Sequence, residues 1–359
     1  MESRNRDGSP PAVLSRALLC LVAVVLAAGL GSVHGRTAAP APVERRATLD
    51  GAFASTAAHR LAAASFIGGT YVTANGASVN VRVSEAYADA DARGQRWAEF
   101  FSLLPHGDEL PRLQITILTG DELSGTCGDH ALGCYRPGEL AFTDEVLGGV
   151  APEEVARHEY GHHVAANRIS PPWRALDWGP KRWASAAGIC ADVKNGKAFP
   201  GDEGDHYSEN PGEVWAETYR IMAERAAGIS SALWSIVAGR YFPDDAALAA
   251  AQADVLDPWT TGSTVTLKGR FVKGQKKIWQ RQVTTRLDGT IVVKLVMPAG
   301  ARNDVTLFAP DGRTVLGRWT SFTTRTKTIS TTVCGQRSVI VRVTRGFAPG
   351  PFSVAVTIP

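Results

Sequence analysis

The stretch APEEVARHEYGHHVAANRIS, residues 151–170, decides how the first half of the chain folds. A proline near its start and two glutamates in its first turn are typical of a helix N-terminus. Residues four apart lie on one face of a helix, so His158 and His162 point the same way. Two imidazoles in this arrangement can bind a metal ion, and Glu159 beside them can reach a water molecule there without binding the metal. The stretch therefore predicts a helix that carries a metal site.

A catalytic metal ion needs a third protein ligand and an open fourth position. A third histidine ten residues after the first would supply the ligand, but that position is Arg168. The other source is a later helix, and YSENPGEVWAETYR, residues 207–220, combines a helix start with Glu213 and Glu217 four apart. We expect Glu213 to bind the metal and Glu217 to accept the far N–H of a histidine ligand. Two histidines and one carboxylate suit Zn²⁺, so we predict one zinc ion.

These two motifs resemble those of the gluzincin-type zinc metallopeptidases. HEYGHHVA followed by HYSENPGEVWAETYRIM is most similar to the catalytic domains of anthrax lethal factor-like metallopeptidases. The resemblance implies an α+β zincin catalytic domain in which His158, His162 and Glu213 bind zinc. It also implies Glu159 as the general base and Tyr207 as the hydroxyl that stabilises the tetrahedral oxyanion. On this interpretation the protein is an endopeptidase that hydrolyses peptide bonds in peptide or protein substrates.

Two alternatives remain open from the sequence. Glu213 and Glu217 can form a solvated acidic face of an amphipathic helix, which is the usual role of two glutamates four apart. The chain can also be an exported protein that binds a surface or a polymer and keeps a catalytically inactive zincin scaffold. Glu159 favours catalysis, because a structural zinc needs no glutamate beside it and closes its fourth position.

Periodicity and breaker residues predict further elements of the first half. DADARGQRWAEFFSLLP, residues 89–105, has helical spacing and ends at a proline. LQITIL (113–118) predicts a strand, and GCYRPGELAFT (133–143) predicts another. We expect an extended peptide to pair with a sheet edge near GELAF (138–142). Residues 170–206, rich in Pro, Gly and Trp, predict a long ordered loop.

The character of the chain changes after DPWTTGS, residues 257–263. The β-branched runs TVTLKGRFV, TIVVKLVM, DVTLFA, SVIVRV and FSVAVTI follow, which is typical of an all-β sandwich. Residues 258–359 hold 16 Lys and Arg against 3 Asp and Glu, whereas residues 36–257 hold 19 against 30. These changes predict a catalytic domain over residues 50–257 and a β-sandwich accessory domain over residues 258–359.

The second half also resembles a known type of domain. RNDVTLFAPDGRTVL and SVIVRVTRGFAPGPFSVAV are similar to the pre-peptidase C-terminal type of β-sandwich found in secreted bacterial peptidases. Its positive charge can attract an anionic cell-surface polymer, a membrane surface or nucleic acid, or can dock on the acidic first half. The basic residues are scattered along the strands without a nucleic-acid-binding motif, so we expect no nucleic-acid partner. We expect a monomer.

The N-terminus predicts export. Arginines precede an apolar run at residues 17–30, and the small residues of GSVHG follow. This order is typical of a secretory signal peptide, with cleavage near Gly35. The run is short for a membrane span, and an uncleaved anchor is the alternative. We assign residues 1–35 to the signal peptide and residues 36–49 to a linker, and expect a secreted, extracellular protein with no membrane span after cleavage.

Export changes what the cysteines mean. Four remain after the predicted signal peptide, namely Cys127, Cys134, Cys190 and Cys334. An even number of cysteines in an oxidising compartment favours disulfides. Four cysteines allow three pairings, and the short spacing in CGDHALGC favours a bridge between Cys127 and Cys134, which leaves Cys190 for Cys334. A cysteine-bound zinc is the weaker alternative, because the chain has no CxxC spacing.

Overall fold

Within the part of the chain that the structure describes, a mixed β-sheet of five strands supports the HEYGHH helix. Its strands are β1 (Phe66–Val72), β2 (Ser78–Ser84), β3 (Gln114–Leu118), β4 (Gly133–Arg136) and β5 (Glu139–Thr143). Their spatial order is β1-β2-β3-β5-β4. Strands β2, β3 and β5 run parallel, whereas β1 and β4 pair antiparallel at the two edges. The first half therefore has the mixed α/β character that the sequence predicts.

The structure is a computed structural model that describes residues 65–231, 236–320 and 325–359. The predicted signal peptide, the linker and residues 50–64 of the predicted catalytic domain lie outside these ranges. The described residues belong to one compact unit, and none of their helices has the length and apolar character needed to cross a bilayer. The helices are α1 (Ala90–Ser102), α2 (Gly120–Cys127), α3 (Pro152–Ala166), α4 (Ala175–Trp178), α5 (Lys181–Ala186), α6 (Ile189–Lys194), α7 (Pro211–Ala226) and α8 (Asp245–Leu256).

An aromatic core holds α1 and α3 against the sheet. The ring of Trp97 in α1 lies edge-on to Phe142 of β5, with centres 4.6 Å apart, and Phe101 lies 5.7 Å from Tyr160 of α3. Buried aromatic pairs contribute both apolar area and a preferred geometry. Because Tyr160 is two positions after His158, it leaves the helix on another side. The core thus fixes α3 while the two histidines face elsewhere.

The structure corrects the single strand predicted at residues 133–143. Pro137 and Gly138 form a turn that divides this stretch into β4 and β5, with Gly138 at a φ of 85°. Proline has no N–H for a sheet ladder, and a positive φ favours glycine, so these residues interrupt the strand. The pairing edge predicted near GELAF is also wrong, because β5 lies between β3 and β4. Among the described strands, β4 is the edge strand on this side.

The ordered loop predicted at residues 170–206 contains the three short helices α4, α5 and α6. Its tryptophans pack on aromatic neighbours: Trp173 stacks on Trp178 with ring centres 4.7 Å apart, and Trp183 lies 5.5 Å from Trp215 of α7. Trp183 is completely buried. Aromatic packing therefore orders this segment and ties it to α7.

Two antiparallel sheets follow and form a β-sandwich, as predicted. Their orders are β10-β9-β12-β7 and β11-β8-β13-β6, from the strands β6 (Ser263–Phe271), β7 (Ile278–Thr284), β8 (Gly289–Val296), β9 (Asn303–Phe308), β10 (Val315–Trp319), β11 (Thr326–Val333), β12 (Ser338–Arg345) and β13 (Gly350–Ile358). Alternate residues of β8 and β12, such as Val293 and Val341, point inward and are fully buried. This alternation is what a sandwich core requires.

The sandwich has two ends with different surroundings. The proximal end holds the loops at residues 285–288, 309–314 and 334–337. The distal end holds the loops at residues 272–277, 297–302 and 346–349. Strands β6, β8 and β12 have eight or nine residues each. At a rise near 3.3 Å per residue they separate the two ends by about 25–30 Å.

Two disulfides form the pairs that the spacing favours. Cys127–Cys134 joins the end of α2 to β4. Cys190–Cys334 joins α6 to the loop between β11 and β12. The first closes a short local loop, and the second links the helical part of the chain to the proximal end of the sandwich.

Hydrogen bonds extend this link at the proximal end. The Arg337 guanidinium donates to the Ser185 carbonyl at 2.8 Å, and the Asp288 amide donates to Ser185 Oγ at 2.9 Å. Nearby, Lys181 Nζ donates to the Pro171 carbonyl at 2.6 Å. Burial lowers the pKa of Lys181 to about 8, against the opposing effect of Asp288 and Asp254. The junction thus contains a buried lysine with a weakened preference for its charged form.

Candidate metal centre

Helix α3 holds the two predicted histidine ligands. Pro152 occupies the first turn, where its missing N–H costs no hydrogen bond, and Glu153 and Glu154 complement the helix dipole there. Every residue from Val155 to Ala165 is buried. The imidazole rings of His158 and His162 lie 5.1 Å apart, as expected for positions one turn apart.

Helix α7 begins at a strong cap. Asn210 Oδ1 accepts a hydrogen bond from the Gly212 amide at 3.0 Å, and Pro211 stands at the first helical position. Both features favour a helix start at this point. Glu213 therefore lies in the first turn of α7, and Glu217 lies one turn later on the same face.

The two helices approach each other closely at Gly161. A Cβ atom there would lie 2.9 Å from Ala216 Cα and 3.1 Å from Tyr219 Cβ. The indole N–H of Trp215 donates to the Gly161 carbonyl at 2.7 Å. A side chain at position 161 would push α7 away, so glycine sets the distance between the histidines and Glu213.

His158, His162 and Glu213 form a buried group that could hold a metal ion. Their ligand atoms all lie within 4.8 Å of one another. Glu213 Oε2 lies 3.2 Å from Nε2 of His158, and Oε1 lies 3.5 Å from Nε2 of His162. Ligand atoms that bind one zinc ion tetrahedrally at 2.0–2.1 Å stand about 3.3 Å apart. The donor types and their spacing therefore fit a tetrahedral metal site.

A row of buried charges continues behind His158. Glu217 Oε2 lies 3.7 Å from Nδ1 of His158, the nitrogen turned away from Glu213. Arg220 donates to both oxygens of Glu217 at 2.6 and 2.8 Å, and to both oxygens of Glu224 at 2.7 Å. Burial raises the pKa of Glu217, but the bonds from Arg220 and His158 outweigh it and lower this pKa below its ordinary value. An ionised Glu217 can hold the proton on Nδ1 and so direct Nε2 of His158 toward Glu213.

Tyr207 lies beside the same group. It belongs to a short 3₁₀ turn just before α7, and its hydroxyl donates to Glu213 Oε2 at 2.5 Å. The sequence predicts this residue beside the metal ligands, and the structure brings it into contact with Glu213, one of the predicted ligands. Its predicted action on an oxyanion stays a prediction.

Glu159 is completely buried and lies against β4. A Cβ atom at Gly133 would stand 3.0 Å from both Cγ and Oε1 of Glu159, and 2.8 Å from Cγ1 of Val155. The absence of a side chain at Gly133 therefore leaves room for the carboxylate. The neighbouring Cys134 ties this part of β4 to α2.

His163 and Arg168 flank the group as structural residues. Nε2 of His163 lies 3.0 Å from the Glu109 carbonyl, and burial lowers the pKa of this imidazole. Arg168 forms a salt bridge with Glu109 at 2.9 Å and donates to the carbonyls of Asp254 and Val255. Arg168 occupies the position at which a third histidine ligand would stand, and it anchors the end of α3 to α8.

A cavity of about 520 Å³ opens beside the end of α3. Ala165, one turn after His162, lines it together with Pro137 of the turn between β4 and β5. Leu176 of α4 also lines it, and the Leu176 carbonyl would lie 2.8 Å from a Cβ atom on Gly212. The cavity therefore lies close to β4 and to the two helices, α3 and α7, that carry the candidate metal group. Its remaining lining is largely apolar, from Ile169, Pro171, Pro172 and Trp173.

Sequence reasoning missed residues that shape the candidate site and are not among its possible ligands. Arg220 and Glu224 follow Glu217 at positions i+3 and i+7, a helical spacing that could have revealed the row of charges. Gly161 interrupts an otherwise helical pattern, which is a signal for close packing. Nothing in the local pattern marks Gly133, because its role depends on a neighbouring helix.

Comparisons with known proteins do not identify a family. No protein-family model matches the sequence, and no curated protein matches it. Among solved structures, the chain is similar to the pre-peptidase C-terminal domain of a collagenase from Bacillus anthracis, with 11% identity and a TM-score of 0.22 over 26% of this chain and 88% of that one. It is also similar to PliG of Aeromonas hydrophila, a periplasmic inhibitor of g-type lysozyme, with 13% identity and a TM-score of 0.21 over 28% and 87%. Neither likeness carries a functional conclusion at these scores.

Proposed function

We propose that this protein is a secreted zinc-dependent endopeptidase. Its catalytic domain would span residues 50–257, and an accessory β-sandwich domain would span residues 258–359. The observation that carries the proposal is the convergence of His158, His162 and Glu213, whose ligand atoms lie within 4.8 Å of one another. The resemblance of both motifs to gluzincin-type metallopeptidases supports it.

Three side chains would hold the metal, and the residues behind them would orient it. His158 and His162 would bind through Nε2, and Glu213 through its carboxylate. A zinc ion with three protein ligands and an open fourth position polarises a carbonyl group and makes water a nucleophile near neutral pH. Glu217 would keep the His158 ring in the binding orientation through its contact with Nδ1.

Glu159 would act as the general base. Its carboxylate would accept a proton from the attacking water and then deliver it to the amine that leaves from the cleaved peptide bond. Glu159 is buried and packs against Gly133 of β4, so its carboxylate keeps a fixed position. A base that is already in position supports this role.

Tyr207 would stabilise the negative charge that develops on the peptide carbonyl oxygen. Its hydroxyl now donates to Glu213, so it would have to exchange that hydrogen bond for one to the substrate oxygen. A donor that is already positioned beside the reacting group costs little reorganisation at that moment.

The edge strand offers a place for an extended peptide. Among the described strands, β4 pairs with β5 alone, and an extended substrate would lie along this edge of the sheet. The cavity beside the end of α3 would then receive an apolar side chain of that substrate, because its lining is largely apolar.

Secretion is part of the proposal. Two disulfides fit an oxidising compartment, and the first 35 residues have the order of a signal peptide. The resemblance of the sandwich to pre-peptidase C-terminal domains supports the same location.

Cleavage of a diverse peptide library, read by mass spectrometry, tests the proposal. Zinc-loaded wild type should cleave peptides, and Glu159→Gln should bind zinc equally well but cleave about 10²–10⁴-fold more slowly. Glu153→Gln, which removes a partly exposed carboxylate from the first turn of the same helix, is the matched control and should cleave like wild type.

A different outcome would favour a second function. If zinc-loaded wild type cleaves no peptide, the protein is better explained as a surface- or polymer-binding protein with an inactive metal scaffold. The excess of basic residues in the sandwich is the observation that favours this second function.

A further inference from the structure

The distal end of the sandwich concentrates positive charge. Six exposed basic residues lie at this end. Arg325 directly precedes β11, and its carbonyl accepts a hydrogen bond from the Met297 amide at 3.0 Å. The other five lie in the distal loops or within two residues of them: Arg270, Lys273, Lys276, Lys277 and Arg302. Among the described residues, none of the six forms a salt bridge. The nearest acidic side chain of the strands, Asp304, is paired with Lys327 at 3.3 Å. The positive charge at this end is therefore uncompensated.

Apolar side chains project from the same end. Phe347 is 80% exposed, and Ile278 and Val272 are 53% and 44% exposed. The loop that carries Phe347 is fixed, because the amides of Gly346 and Phe347 both donate to the Arg302 carbonyl, at 2.6 and 3.1 Å. A held loop thus presents an aromatic ring to solvent. The Arg302 guanidinium lies 5.9 Å from the centre of this ring but leaves most of it in solvent, although large apolar side chains gain free energy from burial.

The proximal end differs in both charge and contacts. There Arg337 pairs with Asp288 at 2.7 Å, and the link to α5 and α6 is made by Ser185 and by the disulfide of Cys190. The strands place the distal end about 25–30 Å away from this link. The charged and apolar loops therefore extend from the side of the sandwich opposite the proposed catalytic part.

We propose that the distal end of the sandwich binds the surface of an anionic lipid bilayer. Lys273, Lys276, Lys277 and their basic neighbours would contact the lipid headgroups, and Phe347, Ile278 and Val272 would enter the interface between headgroups and acyl chains. Binding of this kind combines electrostatic attraction with burial of a few apolar side chains. It would place the proposed peptidase site one sandwich length above the membrane, facing substrates outside the bilayer.

The exposed aromatic ring decides between a bilayer and a soluble anionic polymer. A polyanion in water neutralises lysines and arginines but offers no apolar phase for Phe347 to enter. Aromatic side chains are favoured at the boundary between headgroups and hydrocarbon, where the ring leaves water. The pairing of uncompensated cations with Phe347 therefore fits a bilayer better than a polymer.

Flotation of the purified protein with lipid vesicles tests this inference. The wild type should bind vesicles that contain phosphatidylglycerol and should not bind vesicles of phosphatidylcholine alone. Lys276→Glu with Lys277→Glu should weaken binding by about tenfold or more, because each reversal replaces attraction by repulsion at the charged surface. Arg286→Glu with Arg313→Glu, two exposed residues of the proximal side, makes the same charge change and should bind like wild type.

Phe347→Ser separates the bilayer from the polymer. It keeps every charge, so it should weaken vesicle binding but leave binding to a soluble polyphosphate chain unchanged. Binding to polyphosphate without binding to vesicles would overturn the proposal in favour of a polymer. The proposal also fails if no anionic vesicle is bound, or if the distal and proximal double variants lose binding equally.

Discussion

Glu217→Gln tests whether the row of charges behind the metal group orients His158. The substitution replaces a carboxylate that accepts two bonds from Arg220, at 2.6 and 2.8 Å, and that faces Nδ1 of His158 at 3.7 Å. Removal of one partner from a buried ion pair typically costs 3–5 kcal/mol. Arg220 keeps its bonds to Glu224, so we expect the apo protein to lose about 2–3 kcal/mol of unfolding free energy.

The effect on metal binding should be separable from this loss. An amide at position 217 no longer favours the His158 tautomer that carries its proton on Nδ1. Nε2 is then protonated in part of the molecules, and its lone pair is not available to a metal ion. Partners of this kind typically contribute 10–100-fold to metal affinity. We therefore expect zinc affinity to fall by about this factor in Glu217→Gln.

Glu224→Gln is the matched control, because Glu224 bonds to the same guanidinium on the other side. Its two bonds to Arg220 are 2.7 Å long, and it lies seven positions after Glu217 on α7. It should destabilise the apo protein by a similar amount but leave zinc affinity unchanged. Urea unfolding of the apo proteins gives the stabilities, and competition with a chromophoric zinc chelator gives the affinities. Equal zinc affinities for the two variants would refute the reasoning.

Three other features can be tested by substitution or by pH. Gly161→Ala should lower the unfolding free energy by about 1–3 kcal/mol and weaken zinc binding, because its Cβ would lie 2.9 Å from the backbone of α7. Gly239→Ala, whose Cβ meets nothing within 4 Å, should change neither quantity in the same urea and zinc titrations. Cys190→Ser, which removes the disulfide across 144 residues, should lower the unfolding free energy in urea by about 5 kcal/mol. Cys127→Ser, which removes the disulfide across 7 residues, should lower it by about 2.5 kcal/mol, because a shorter closed loop restricts the unfolded chain less. The pKa of Lys181 is about 8 in the folded state and 10.5 in the unfolded state. Between these values the unfolded state binds more protons than the folded state. The unfolding free energy should therefore rise by roughly 1 kcal/mol per pH unit between about pH 8 and 10. The rise, followed by thermal unfolding at each pH, should disappear in Lys181→Met; its persistence would assign it to another group.

The metal group could be predicted because its signals are local. The spacing of His158 and His162 is a property of any α-helix, and the cap at Asn210 fixes where α7 begins and hence where Glu213 lies. The packing between the helices could not be predicted from the local pattern. The close approach at Gly161 depends on the backbone of α7, 55 residues further along the chain, and the periodicity of one helix gives no information about its neighbour.

Some strands of the sandwich could likewise be predicted from local sequence signals, and others could not. Strand β8 alternates between buried and exposed residues along most of its length, and the sequence predicted it. Strands β7 and β10 are largely exposed on both faces, with few buried positions. Without one buried face they have no alternation of apolar and polar residues, so the pattern could not reveal them.

The charges of the two halves show why a count of residues could not predict how the halves meet. The acidic side chains of the first half are used within it: Asp144 pairs with Arg93, and Glu109 pairs with Arg168. These carboxylates are buried and already bonded, so they cannot attract basic loops at a distance beyond the screening length. Among the described residues, no salt bridge joins a carboxylate of the first half to a Lys or Arg of the sandwich. The junction instead uses hydrogen bonds and a disulfide at the proximal end of the sandwich, where Arg337 pairs with Asp288. Opposite net charges therefore do not hold the two halves together, and the positive charge of the distal loops remains available for an anionic surface.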